Sequence, residues 1–262
     1  MEMSNDFVPK NTIIEKMNPN TKLLAIISLG ISTLIFPNPA LGLGVLIFLF
    51  VVSCIAKIQK TFLKVVLGFG IPITVMLLFI QGLYSPKNKT IIADLGFAQM
   101  GLEGVLYALK IVVTLLVFLG AFLLMNKTTH ISNLVAALTD LGLPNKAGYL
   151  VLATLNVVPQ MQKRMSVIRQ SQEARGVETQ GGLFNRIKAY IPLLGPVILS
   201  SLIDMQERGM TLETRGFGIN GVRRTTYVKA TRSPMDKPLN VILILFLLIV
   251  LILTLLMKFG IL

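Results

Sequence analysis

Two arginines in this 262-residue chain sit in the same local frame. "SQEARGVETQ" (171–180) and "LETRGFGING" (212–221) each contain Glu-Xaa-Arg-Gly, with Glu173 two residues before Arg175 and Glu213 two before Arg215. A glycine just past a helix is the usual left-handed terminator, and a basic residue in the last turn complements the helix dipole. That account suffices for one such pair. Two pairs led by the same Glu, each closing a long helix, fit a second chemistry as well. A guanidinium is planar and permanently charged, and it forks two N–H donors onto a carboxylate. Two of them on rigid tips suit a partner with two equivalent pockets. A further Arg-Gly, in Glu207-Arg208-Gly209, lies two turns before Arg215 on the same face and competes with it for that role.

The elements that must carry these arginines lie in the stretch 126–238, which is too long for a simple loop and far richer in Lys and Arg than in Asp and Glu. Its apolar runs, 149–159 and 190–203, are short or polar at their flanks for membrane spans, which leaves six or seven spans as the alternative to five. They read instead as the starts of two long amphipathic helices of about 40 Å at ~1.5 Å per residue. On the first, Val151, Val158, Met161, Met165, Ile168, Gln172 and Arg175 fall on one seam, with Gln160, Lys163, Arg164 and Gln170 on the other face. On the second, Ile191, Leu194, Ile198, Met205, Leu212 and Arg215 form a similar seam, interrupted by Ser201 and Arg208. A shorter helix, 130–144, precedes both.

The rest of the chain is built for lipid. It is 53% hydrophobic and 14% charged, against about a quarter charged in a typical soluble protein, and its mean hydropathy is +0.74. Five spans are expected, at 23–36, 40–56, 65–84 (kinked at Pro72), 102–125 and 240–257. Residues 1–22 are polar with no apolar core, so no cleavable leader is expected. The fold class is therefore an all-α polytopic membrane protein with about five transmembrane helices and long amphipathic helices outside them. It divides into 1–125, a cytoplasmic region 126–239, and a last span 240–262. The net charge of +13 reflects the positive-inside rule rather than nucleic acid. Lys10, Lys16 and Lys22, then a basic hinge of Lys57, Lys60 and Lys64, then 126–238, all fall on one side of a five-span protein. The N-terminus is placed inside and the C-terminus outside.

Several classes of chemistry lack their parts. There is no Gly-rich phosphate loop with Lys-Ser/Thr, so the chain does not hydrolyse ATP by itself. No paired carboxylates, metal-ligand cluster or Ser/His arrangement lies in the spans, so an intramembrane enzyme is disfavoured and no cofactor or metal is expected. Cys54 stands alone in an apolar run. His130, the only histidine, has no companions for a relay. Lys110 in the fourth span is read as snorkelling or as pairing with Glu103. The glycines of "LGLG" (41–44) and "GFG" (68–70) allow close helix packing. Arg223, Arg224, Lys229, Arg232 and Lys237 suit an anionic inner leaflet.

The chain resembles the T component of energy-coupling factor (ECF) transporters, the EcfT/CbiQ-like family, over nearly its whole length. "MNPNTKLLAI" (17–26) is similar to the family's entry into the first span. "LTDLGLPNKAGYLVLATLNVVPQMQKRMSVIRQSQEARGV" (138–177) and "RIKAYIPLLGPVILSSLIDMQERGMTLETRGFG" (186–218) resemble its two coupling regions. The resemblance places the family's two Xaa-Arg-Xaa motifs on Ala174-Arg175-Gly176 and Thr214-Arg215-Gly216. It implies docking of each motif on one of two ABC ATPases (or a tandem ATPase), with Glu173, Glu213 and Arg208 as secondary candidates. It further implies that helix motion is passed to a substrate-binding S component that imports a vitamin or metal ion across the cell membrane. The chain departs from the family pattern at Asn156-Val157-Val158-Pro159 and at Thr214, where alanine is usual. A self-sufficient permease or channel is the competing class. It would show more polar residues or broken helices at mid-membrane.

Overall fold

The computed structural model describes residues 10–36, 38–82, 90–94, 99–176, 182–219 and 233–259. It contains helices α1 (Pro19–Ile35), α2 (Pro39–Ile55), α3 (Gln59–Leu77), α4 (Leu102–Thr128), α5 (Ile131–Asp140), α6 (Asn145–Ala174), α7 (Leu183–Thr214) and α8 (Asp236–Lys258). Helix α3 runs into one π-helical turn, Leu78–Gly82. The described residues fall into two compact units, one drawn from Glu2–Ala137 with Lys229–Leu262, the other from Leu138–Val228.

In the first unit, local chemistry sets the helix starts. Asn18 and Asn38 each precede a proline, and the Asn side chain accepts the backbone N–H two residues on, from Asn20 and Ala40, at 2.9 Å. Proline in the first helical position gives up a donor that has no partner there anyway. Helices α1 and α2 are 17 residues each, at the short end of the span range. Helices α3 with its π turn, α4 and α8 are long and apolar enough to cross a membrane. Of the expected basic hinge only Lys57 lies between the helices, in the link 56–58. Lys57 takes a left-handed φ of 56° between α2 and α3, and α3 begins at Gln59. Lys60 and Lys64 therefore ride on its first turns. The loop expected before α4 instead contains a short antiparallel pair, β1 (Ile91–Asp94) with β2 (Gln99–Gly101). Lys87, Lys89, Arg223, Arg224, Lys229 and Arg232 lie outside the described residues.

Helix α4 is the axis of this unit and packs on α1, α2 and α3, while α8 packs on α1. Half of the most apolar stretch of α4 is buried, against 11% for α3 and for α8. Helix α8 is nearly pure Leu, Ile and Val yet mostly uncovered, which is the pattern of a helix facing hydrocarbon. The core joins Leu29, Val45, Leu49, Phe62, Val113 and Val117. Ser28 Oγ donates across to the carbonyl of Leu243 at 2.7 Å, a polar link of the kind that ties helices together in lipid. Lys110 makes no ion pair with Glu103, whose carboxylate accepts the backbone N–H and the hydroxyl of Thr90. His130 opens α5, its Nδ1 accepting the Ser132 N–H at 3.2 Å.

One glycine of each flagged pair is a packing residue and the other is open. A Cβ on Gly42 would lie 2.6 Å from Val113 Cγ1 and one on Gly70 3.2 Å from Leu116, whereas Gly44 and Gly68 have nothing within 4 Å. Val113 is buried and β-branched, so it cannot swing aside. Gly42→Val is expected to destabilise the unit by about 1–3 kcal/mol through overpacking, while Gly44→Val leaves it unchanged. Thermal melts of the two variants in detergent make the comparison; equal melting points would disprove it.

Candidate functional site

In the second unit the two long helices end in the same backbone form. Arg175 and Arg215 are C-caps at φ/ψ of −89/6° and −86/7°. Gly176 and Gly216 follow at φ +88° and +69°, a region that costs an L-residue roughly 1–2 kcal/mol. The N–H of Gly176 donates to Glu173 O at 3.0 Å, and that of Gly216 to Glu213 O at 2.9 Å. At α7 the Schellman pattern is complete, with Phe217 N–H donating to Leu212 O at 2.8 Å.

The terminator itself does not require arginine. Helix α5 stops in the same way. Gly142 has φ +111°, its N–H donates to Thr139 O, and Leu143 N–H donates to Leu138 O, each at 3.1 Å. The residue equivalent to Arg215 is there Leu141. The glycine is thus explained by helix termination and the arginine is not. Both side chains are exposed, and neither makes a hydrogen bond or ion pair among the described residues. Ala174, Gly176, Thr214 and Glu213 are exposed beside them, with the Thr214 hydroxyl turned back to Thr211 O at 3.0 Å. Glu173 accepts from Arg169 Nε one turn earlier at 2.9 Å.

Arg208 is placed differently. It is half-buried, and its Nη2 donates to Gln160 Oε1 of α6 at 2.5 Å. Arg164 pairs with Asp204, and Ser201 Oγ meets Met161 Sδ at 3.2 Å. These residues, with Val157 and Met205, line a small pocket of about 70 Å³ at the crossing of α6 and α7. The expected seams are therefore displaced. On α7, Ile191, Leu194, Ile198 and Met205 are exposed, whereas Leu193 and Val197 are buried. Ser201 and Arg208, expected to interrupt the seam, belong to it. On α6, Val151 and Val158 are exposed, while Met161, Met165 and Ile168 are half-buried as expected. Gln160 and Arg164, assigned to the outer face, reach across to α7. The polar side chains meet across the pair because each finds a hydrogen-bond or ion-pair partner on the facing helix, which apolar periodicity along one helix does not reveal. Asp204 was missed by sequence reasoning, and the signal was there: it is the one acid in the run Val197–Gln206.

The partners along the two helices descend on one as they rise on the other: Gln160 with Arg208, then Arg164 with Asp204. Beyond the tip of α7 the Phe217 ring lies 4.9 Å from that of Tyr149, near the start of α6. The pair is antiparallel. Arg215 therefore sits by the beginning of α6 and Arg175 at its end, and the helix between Tyr149 and Arg175 spans about 39 Å at ~1.5 Å per residue. Two guanidinium groups that far apart cannot share one pocket.

The family model described as "Cobalt transport protein" (CbiQ) matches residues 10–228. The "Energy-coupling factor transporter transmembrane protein EcfT" of Leuconostoc gelidum subsp. gasicomitatum is 29% identical over 243 residues, covering 88% of this chain and 89% of that protein. Its counterpart in Bacillus subtilis is 27% identical, covering 91% and 92%, and that of Staphylococcus aureus is 25% identical, covering 84% and 85%. An all-α membrane protein with apolar spans and a pair of long helices, matched over most of its length, is thus a member of the CbiQ cobalt transport protein family.

Proposed function

We propose that this chain is the transmembrane coupling subunit of an energy-coupling factor importer. It docks two ATP-hydrolysing subunits (or one tandem ATPase) through Arg175 and Arg215, and passes their motion along α6 and α7 to a substrate-binding component that carries a vitamin or metal ion. The carrying observation is the pair of matching helix caps whose arginine side chains are exposed and make no hydrogen bond or ion pair among the described residues, about 40 Å apart by helix length, which asks for two separate acidic grooves. The names of the curated relatives support the same reading. Arg208 is occupied with Gln160, which favours Arg215 as the second tip. The basic ends of the spans favour a cytoplasmic N-terminus, a cytoplasmic 126–239 region and an outward C-terminus in the plasma membrane.

The test is co-purification. Solubilised in mild detergent after co-expression with the ATPases of its own cell, the chain is expected to retain two ATPase domains per copy. Uptake by the chain reconstituted without any ATPase would establish a permease and overturn the proposal. Arg208→Ala is expected to keep both ATPase domains bound while loosening the α6–α7 crossing, read as faster proteolysis of that region. Loss of an ATPase from Arg208→Ala would instead move the docking role from Arg215 to Arg208.

A further inference from the structure

The first turn of α1 holds three distant pieces of the chain. The backbone N–H of Asn18 donates to Asp236 Oδ1 at 3.1 Å. Asn20 Nδ2 donates to the carbonyl of Ala137 at 2.9 Å. Lys22 Nζ donates to Thr128 O at 2.8 Å and to Thr129 Oγ1 at 3.0 Å. Thr128 and Thr129 are the last residue and the C-cap of α4, so a cation sits on the negative end of that helix. The second oxygen of Asp236 accepts the Ser233 N–H at 2.6 Å.

These contacts coincide with the joints of the molecule. Ala137 is the last residue of the bundle unit before the chain enters Leu138–Val228. Asp236 opens α8, the helix by which the chain re-enters the bundle. Both connections to the α6–α7 unit are thus tied, on the bundle side, by one turn of α1. The tie is costly. Lys22 and Asp236 are 8% and 7% exposed, and Asn20 Oδ1 and Thr21 Oγ1 are buried without a partner among the described residues. Well-packed apolar residues would serve stability as well or better. What a polar knot adds is one fixed geometry, because each donor reaches its acceptor in a single arrangement.

We propose that Asn18, Asn20, Lys22 and Asp236 are positioning residues that anchor the coupling region to the bundle. Displacement generated at the arginine tips then reaches the membrane helices instead of being lost in slack joints. This deepens the coupling reading and rests on it. A rigid element transmits displacement only if its base is fixed, and on the bundle side both connections start from residues held by the Lys22 bonds at the end of α4, an amide hydrogen bond to α5 and the Asp236 carboxylate at α8.

Two measurements test the anchor on Asn20→Ala, the mildest break of the knot. In the first, the full chain alone in nanodiscs is followed by amide hydrogen exchange. Exchange across α5 is expected to rise at least ten-fold in Asn20→Ala while α2 and α3 are unchanged; unaltered α5 exchange overturns the proposal. In the second, the chain with its ATPases carries spin labels at Phe122→Cys and Leu141→Cys in a Cys54→Ser background. The wild-type distance is expected to stay fixed when ATP is added, and that of Asn20→Ala to lengthen or broaden only with ATP. Equal broadening with and without ATP would show a merely structural role and overturn the proposal, as would no broadening at all. If the wild-type chain carries no ATPase, the coupling reading fails, and the exchange measurement still decides the anchor.

Discussion

Arg175→Ala combined with Arg215→Ala is expected to strip the ATPases from the chain in a pull-down while its melting temperature stays within about a degree. Each guanidinium offered to a carboxylate contributes about 1.5–3 kcal/mol net, or roughly one to two orders of magnitude in affinity per site. Two sites engaged by a linked or dimeric motor act multiplicatively, so each single variant is expected to keep a weakened complex and only the pair to lose it. Stability is spared because both side chains are exposed and unbonded, and because Gly176 and Gly216 end the helices whatever precedes them. Arg175→Lys with Arg215→Lys is expected to restore little, since an ammonium cannot reproduce the planar fork. Gly216→Ala should act in the opposite sense, lowering stability by roughly 1–2 kcal/mol through its left-handed φ. A double alanine variant that still brought down ATPase at wild-type yield would end the docking hypothesis.

The second large effect is on stability. Lys22→Met is expected to cost about 3 kcal/mol, from the loss of two charge-assisted bonds to Thr128 and Thr129, each about 1.5–3 kcal/mol, less the relief of burying a charge. Asp236 would also be left as a buried carboxylate without its nearby cation. Lys110→Met provides the contrast. Lys110 lies within the fourth expected span but is only half-buried and bonded to nothing through its ammonium among the described residues, so its removal is expected to be neutral or slightly stabilising. Membrane abundance and melting temperature of the two variants measure the difference. If they fell together, or Lys22→Met melted like wild type, the structural weight placed on Lys22 would be wrong.

Sequence alone determined what is decided within a turn or two of chain. Asn-Pro opens α1 and α2, Arg-Gly closes α6 and α7, and uninterrupted apolar runs mark the helices that meet lipid. Each of these depends on the conformational range of one residue, on a bond to a neighbour a few positions away, or on the transfer energy of a segment as a whole. The tertiary structure alone decided three other matters. The first is which face of α6 and α7 turns inward: the polar residues Gln160, Arg164, Ser201, Asp204 and Arg208 do, because each meets a partner on the facing helix, and the expected apolar stripe largely does not. The second is that the matching arginine ends point to opposite ends of an antiparallel pair, since nothing local fixes how two helices are laid against each other. The third is that Lys22, read as one more positive charge at the membrane edge, has partners more than a hundred residues away. Its role follows from which carbonyls the fold delivers to it, and no periodicity or spacing in the chain encodes that meeting.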